Sequence, residues 1–196
     1  RTGRFFAAEH WDVAPDILVI SKGFAAGYAP LGAMVAHSDI VANVLDAGGF
    51  LHGFTYAGNP LACAAGLAVL EEIEREHLCA NAGETGALLK GELKKLMDRY
   101  EIIGDVRGEG LLLAFELVED RRSMRPLPSE LNAYNQLVDI AYENGLIIYS
   151  RRTRGGFLIA PPMISTAEHV SEIVEGLDKS LRQLLDGMSR QQAKVV

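Results

Sequence analysis

The stretch PDILVISKGFAAGYAPLG, residues 15–32, decides how this chain is read. Four apolar residues, Ile17, Leu18, Val19 and Ile20, stop at Ser21, and a lysine, Lys22, follows. Gly23, Gly27, Pro30 and Gly32 then punctuate the next ten positions. A short branched apolar run closed by a turn reads as a buried strand. Lys22 therefore falls at a strand end, at the lip of a loop too glycine-rich to be an ordinary connection. Strand ends are where α/β sheets hold ligand chemistry. An amine fixed on such a strand can act as a nucleophile toward a carbonyl, the plain alternative being a solvated lysine that ends the strand.

Working outward, residues 4–14 suit a short helix ending near His10 and Trp11, and residues 12–16 form the turn before the lysine strand. Residues 32–36 read as a neighbouring strand. A short helix over 39–45 takes Ser38 or Asp39 as its cap.

The second informative stretch is HGFTYAGNPLACAAGLAVL, residues 52–70. Asn59 followed by Pro60 is a helix start, with the cap at asparagine and proline in the first turn. The helix behind it is small or apolar through Leu70, which predicts burial on most faces and makes Cys63 a small core residue. A buried helix entered through Gly-Phe-Thr-Tyr offers hydroxyls and N–H groups to an anion, with Thr55 and Tyr56 in reach. The alternative for those hydroxyls is a local cap.

A second helix spans about 81–100, with Leu88, Leu89, Leu93, Leu96 and Met97 as its apolar face. Strands over 102–106 and 111–118 flank the turn Arg107-Gly108-Glu109-Gly110. A charged loop, a helix over 131–144, strands over 146–149 and 157–160, and a last helix from Ser165 or Thr166 to about Gly187 complete the chain, with a frayed end beyond Arg190. The order after residue 100, β-β-α-β-β-α, implies helices on one face of a small sheet. The domain change is drawn there: 1–100 and 101–196.

The formal net charge of −7 argues against a nucleic-acid or anionic-membrane surface. No apolar run approaches a membrane span. Cys63 and Cys79 make no disulfide framework, so a reduced cytoplasmic setting is expected. The opening Arg-Thr-Gly-Arg-Phe-Phe has neither helix cap nor initiator Met and reads as interior sequence.

With these residues assembled, the run from Ile20 through Ala33 resembles the pyridoxal-phosphate lysine segment of class III aminotransferases, the omega-amino-acid type of fold type I. Arg1-Thr-Gly resembles the end of that family's Gly-Phe-Gly-Arg-Thr-Gly segment, and residues 52–65 resemble its phosphate-contacting segment. Val106-Arg-Gly-Glu-Gly-Leu and Ile159-Ala-Pro-Pro-Met-Ile resemble its small-domain signatures. The resemblance covers essentially the whole chain. It implies an α/β fold: part of a fold type I large domain, followed by a small α+β domain. It implies pyridoxal 5′-phosphate as cofactor, an internal aldimine on Lys22, and later proton transfer by the freed amine.

By the same resemblance Phe54 and Thr55 belong to the cofactor contacts, Thr55 donating to the phosphate in the neighbouring subunit of a homodimer with shared active sites. Arg151 falls where a mobile arginine meets the substrate carboxylate, with Arg152 and Arg154 as rivals and a solvated loop as the plain alternative. The small apolar loop over 25–29 favours an uncharged or aliphatic amine end on the donor. No metal is implied. Residues the family keeps at the pyridine nitrogen, the phosphate loop and the ring face are expected ahead of Arg1. The chain is thus expected to be the C-terminal half of a transaminase that moves an amino group from an amine or omega-amino acid to a 2-oxo acid, and inactive alone. The alternatives are a catalytically inactive remnant acting as an interaction module, or a decarboxylase or aminomutase on the same cofactor.

Overall fold

The computed structural model describes residues 1–151 and 156–193, and the side chains of all of these except Arg151 and 191–193. The described residues divide into two compact units: Ala8–Leu78, and Arg1–Ala7 together with Cys79–Val196. The sequence reading put the change of domain near residue 100. The compact units divide earlier because the long helix before residue 100 shares a core with the strands after it.

In the Ala8–Leu78 unit, a 3-10 turn (Ala7–Trp11) stands where a short helix was expected, and two strands follow, β1 (Ile17–Ile20) and β2 (Ala33–Ala36). They pair antiparallel, Ile17 opposite Ala36 and Ile20 opposite Ala33. The expected burial of β1 is not observed. It belongs to a two-stranded sheet, and Val19 is 74% exposed. Helix α1 (Ser38–Asp46) is capped by neither expected residue: the His37 ring nitrogen accepts from Asp39 N at 3.3 Å. Helix α2 (Pro60–Arg75) starts as predicted, Asn59 Oδ1 accepting from Ala62 N at 3.1 Å. Its predicted burial fails. Only Ala62 and Gly66 of α2 are buried, Leu61 is 79% exposed, and Cys63 is exposed rather than in a core.

The second unit is built on α3 (Leu78–Arg99), β3 (Ile103–Glu109), β4 (Leu112–Asp120), the short β5 (Arg125–Pro126), α4 (Ala133–Glu143), β6 (Tyr149–Arg151), β7 (Gly156–Ile159) and α5 (Ala167–Ala193). The sheet order is β3-β4-β7-β6, with β5 paired to β4, all antiparallel. Alternation along β4 and β7 turns Leu113, Phe115, Leu117, Phe157 and Ile159 toward one face. There they meet Leu89, Leu93 and Leu96 of α3, Leu137 of α4, and Leu177, Leu181 and Leu184 of α5. Phe115 and Phe157 stack with centroids 4.8 Å apart. Leu88, expected on the inner face of α3, is exposed: burial follows 82, 89, 93 and 96, a stripe that leaves position 88 outside. The turn after β3 is also shorter than predicted, because the strand carries on through Arg107 to Glu109. Strand β6 begins at Tyr149, where the expected strand ended, and α5 continues past Gly187.

A buried carboxylate ties two helices of this unit together. Asp178 of α5 accepts from Tyr100 Oη at 2.7 Å and from Arg99 of α3 at 2.6 Å, with Arg182 paired to its second oxygen. Arg121 donates to the carbonyls of Met97, Tyr100 and Ile103, satisfying the C-terminal end of α3.

Candidate active site

Lys22 is set by backbone geometry. Ser21 is extended (φ −162°, ψ −165°), and Lys22 then enters a 3-10 turn, Lys22–Ala25, with φ +54°. The turn closes at Ala26, also left-handed at φ +47°, with Ala26 N donating to Gly23 O at 3.1 Å. A non-glycine residue in this region costs on the order of 1 kcal/mol, and such conformations persist where the surroundings enforce them.

The enforcement comes from α2. Ala25 is fully buried, and a Cβ on Gly66 of α2 would lie 2.4 Å from Leu31 Cδ2 and 3.6 Å from Phe24 O. The glycine lets the helix approach the loop backbone closely. The Lys22 side chain itself is exposed, and among the described residues no hydrogen bond or ion pair engages its ammonium group. A strained backbone on a packed seat thus carries an uncommitted amine.

Phe54 and Thr55 lie just ahead of α2 in the same unit, and both are exposed. Phe54 meets the His52 ring edge-on, centroids 5.0 Å apart, and its carbonyl accepts from Ala57 N at 2.9 Å. The anion site expected at the start of α2 is narrower than the sequence suggested. Pro60 has no N–H, Ala62 N is taken by the Asn59 side chain, and Cys63 N by the Asn59 carbonyl at 2.9 Å. What remains for a ligand is the Leu61 N–H with the hydroxyls of Thr55 and Tyr56. Among the described residues no hydrogen bond joins Lys22 to Thr55, so neither side chain holds the other.

Arg151 belongs to the other unit. Its backbone ends β6, opposite Gly156 of β7. Its side chain, and Arg152 and Arg154 entirely, lie outside the described residues.

The charges at the end of β3 are structural. Arg107 bonds Asp105 at 2.7 Å and pairs with Glu116, and these two carboxylates raise its guanidinium pKa. Lys90 donates to Gly108 O at 2.7 Å and pairs with Glu109 at 3.2 Å. A cavity of about 640 Å³ lies between Ile102, Val118, Leu127, Leu131 and Met188, and none of the residues singled out from sequence lines it.

Sequence reasoning missed three donors that hold the segment after β7: Arg1 on the Ala160 carbonyl, and Asn81 and Thr85 on carbonyls of residues 163–165. No local pattern could have found them, because each partner lies 80 to 159 residues away.

The profile of the family "Aminotransferase class-III" matches residues 1–181. This chain belongs to the class III aminotransferases. Among the curated relatives is the diaminobutyrate–2-oxoglutarate transaminase of Halomonas elongata, 36% identical over 98% of this chain and 42% of its own length. Another is the leucine/methionine racemase of Thermococcus litoralis, 39% identical over 95% of this chain and 40% of that protein. Among solved structures, an amine transaminase from an uncultivated Pseudomonas species, in its PLP-bound internal-aldimine form, superposes with a TM-score of 0.87. It is 37% identical, over 94% of this chain and 42% of that one. The fold is thus part of fold type I, the fold of pyridoxal-phosphate transaminases. The chain spans about two-fifths of the length of the relatives it matches.

Proposed function

We propose that the protein carrying this chain is a pyridoxal-phosphate transaminase that moves an amino group from an amine or omega-amino acid to a 2-oxo acid, with Lys22 as its reacting residue. The observation that carries the reading is the setting of Lys22: an exposed, unpaired amine on a left-handed turn that α2 holds rigid. The donor set fits the cofactor. A primary amine suits its aldehyde, and the Thr55 hydroxyl with the Leu61 N–H suits phosphate oxygens.

When bound, the cofactor supplies the electron sink for negative charge at the substrate Cα. The chain's own residues do the rest. Lys22 would hold the aldehyde carbon and, released when the substrate amine takes its place, would take the proton from the substrate Cα as base and pass it as acid to the cofactor's former aldehyde carbon. Thr55 donates its hydroxyl to phosphate, serving the neighbouring subunit of a homodimer, and Phe54 borders the same ligand. Arg151 meets the carboxylate of the substrate as a planar fork.

In this reading, residues 1–100 contribute to the cofactor domain and 101–196 form the small domain of the whole enzyme, a cytoplasmic protein. Because the chain matches two-fifths of its relatives, the 196 residues alone are expected to be inactive. No helix among the described residues is long and apolar enough to cross a membrane.

A second reading has one observation in its favour: a relative of similar identity is a leucine/methionine racemase, and one fold can host more than one reaction. Assaying the intact protein with amino donors against pyruvate and 2-oxoglutarate separates the two. Amino transfer to either acceptor supports the transaminase. Exchange of the Cα hydrogen without transfer to any acceptor overturns it in favour of the racemase-type reading.

A further inference from the structure

The loop that carries Lys22 leaves β1 at Ser21 and returns to β2 at Gly32, so its two ends meet. Ile20 and Ala33, on either side of it, are paired in the β1–β2 ladder. Gly32 passes so close to the outgoing limb that a Cβ there would sit 3.3 Å from Ile20 O and 3.6 Å from Ser21 Cβ. The neck of the loop is therefore fixed.

Beyond the neck, the backbone holds itself only locally. Phe24 N donates to Ser21 O at 3.3 Å, Ala26 N to Gly23 O at 3.1 Å and Tyr28 N to Ala25 O at 2.9 Å. Among the described residues no side-chain hydrogen bond or ion pair ties residues 21–32 to the rest of the chain. Yet the loop takes the left-handed region at two non-glycine positions, Lys22 (φ +54°) and Ala26 (φ +47°). Such a backbone needs support from outside the turn.

Helix α2, in the same unit, gives that support at one position. A Cβ added to Gly66 would lie 2.4 Å from Leu31 Cδ2, 4.0 Å from Leu31 Cγ and 3.6 Å from Phe24 O. Gly66 thus faces both limbs of the loop, the outgoing one through the Phe24 carbonyl and the returning one through the half-buried Leu31 side chain. Ala25 is fully buried, but its methyl offers little contact area. Leu31 is the large apolar side chain of the seat. We infer that Leu31 is a positioning residue for Lys22: packed on α2 at Gly66, it keeps the loop seated, so that the left-handed turn and the amine on it stay in place. The inference rests on the reading of Lys22 as the residue that meets the cofactor aldehyde.

The experiment uses the intact protein without cofactor, with pyridoxal phosphate as the probe. The Lys22 amine condenses with the aldehyde, a C=N bond forming as water leaves. Borohydride then adds hydride to that bond, and the product is counted by mass on the fragment that holds Lys22. Trapping at successive times gives a limiting rate at saturating cofactor and a half-saturating concentration. Leu31→Ala lowers the limiting rate about fivefold, the scale of one non-glycine residue's preference against the left-handed region. The half-saturating concentration stays within about twofold. Leu31→Met, which keeps the volume, stays within about twofold in both. Ala26→Gly added to Leu31→Ala restores about half of the lost rate, because glycine closes the turn left-handed without a seat. Loss of apolar burial alone would not be repaired by a glycine elsewhere in the loop. Exchange of the Phe24, Ala26 and Tyr28 amides, measured without cofactor, is faster in Leu31→Ala.

An unchanged limiting rate, a change confined to the half-saturating concentration, or unaltered exchange at those three amides overturns the inference. So does a double variant no faster than Leu31→Ala. If Leu31→Ala yields no folded protein, Leu31→Val decides by the same readings, with a loss of about twofold expected. A pyridoxyl group found on another lysine of the wild type overturns the reading of Lys22 and the inference with it. A group on Lys22 that Leu31→Ala forms at the wild-type rate overturns the positioning role alone.

Discussion

Phe115 and Phe157 stack at 4.8 Å inside the unit formed by Cys79–Val196, surrounded by buried leucines from three helices. The Ala8–Leu78 unit has nothing comparable: Ala25, Ala62 and Gly66 are its buried residues, and Val19, Tyr28, Leu51, Phe54, Tyr56 and Leu61 face outward. Yet Lys22 and Thr55 belong to the sparse unit. In these 196 residues, about two-fifths of the length of the relatives they match, the dense unit carries the burial and the sparse unit carries the candidate reactive groups. One unit holds itself together by burial, and the other holds a few backbone positions through glycine contacts and displays its reactive groups on exposed turns.

The largest effect expected from that division is on chemistry without stability. In the intact enzyme, Lys22→Ala lowers the rate of amino transfer by at least about 10³-fold, the scale of removing both anchor and acid–base group. Its melting temperature stays at that of the apoprotein, because no hydrogen bond or ion pair among the described residues engages the side chain. Equal losses of activity and stability would erase the comparison. The converse sits in the dense unit. Phe115→Ala destabilises by about 3–5 kcal/mol in urea unfolding, whereas Val19→Ala in the sparse unit costs less than about 0.5 kcal/mol in the same chain.

Close backbone contact sharpens the contrast at a smaller scale. A Cβ on Gly86 of α3 would lie 2.0 Å from the Gly110 carbonyl carbon, and backbone on both sides cannot yield. Gly86→Ala therefore destabilises by about 1–3 kcal/mol, while Gly66→Ala, which meets the movable end of Leu31, costs less and disturbs the lysine turn instead. Fluorescence of the bound cofactor reads the second effect and a thermal melt the first. Thr55→Ala weakens cofactor binding about tenfold, one charge-assisted hydrogen bond, without a change in melting of the apoprotein.

The smallest effect concerns pH. Ser123 Oγ donates to Asp120 at 2.6 Å and Arg122 N at 3.0 Å, and these bonds hold its carboxyl below the ordinary value. A depressed carboxyl contributes stability above its unfolded pKa, and that contribution is lost as the pH falls toward the folded value. Asp120→Asn therefore flattens the decline of stability below about pH 4, as followed by acid titration of the melt.

What the sequence made legible was local chemistry. Asn59 and Pro60 start α2 because an asparagine cap and a proline without an N–H need nothing from the rest of the fold. The β-β-α-β-β-α order appeared because each element carries its own period and its own glycine or proline stop. Lys22 was visible because a branched run ended on it. The misses are of another kind. The apolar character of α2 and β1 predicted burial, but composition does not say which elements cover them, and Leu61 and Val19 are exposed. Leu88 fits an apolar face as well as Leu89 does until the partner helix fixes the stripe. His37 replaced Ser38 as a cap because a ring nitrogen can accept an N–H as well as a hydroxyl can. The donors on Ala160, Met163 and Ser165 were invisible, since their partners are brought together only by the sheet.

Everything proposed for the site turns on which amine meets the cofactor. The intact protein, loaded with pyridoxal phosphate, reduced with borohydride and digested, should carry one pyridoxyl group, and fragment masses should put it on Lys22. The modification should vanish in Lys22→Ala and survive in Lys90→Ala. A pyridoxyl group on another lysine, or a protein left unlabelled at saturating cofactor, would contradict the assignment of Lys22 and with it the proposed transaminase site.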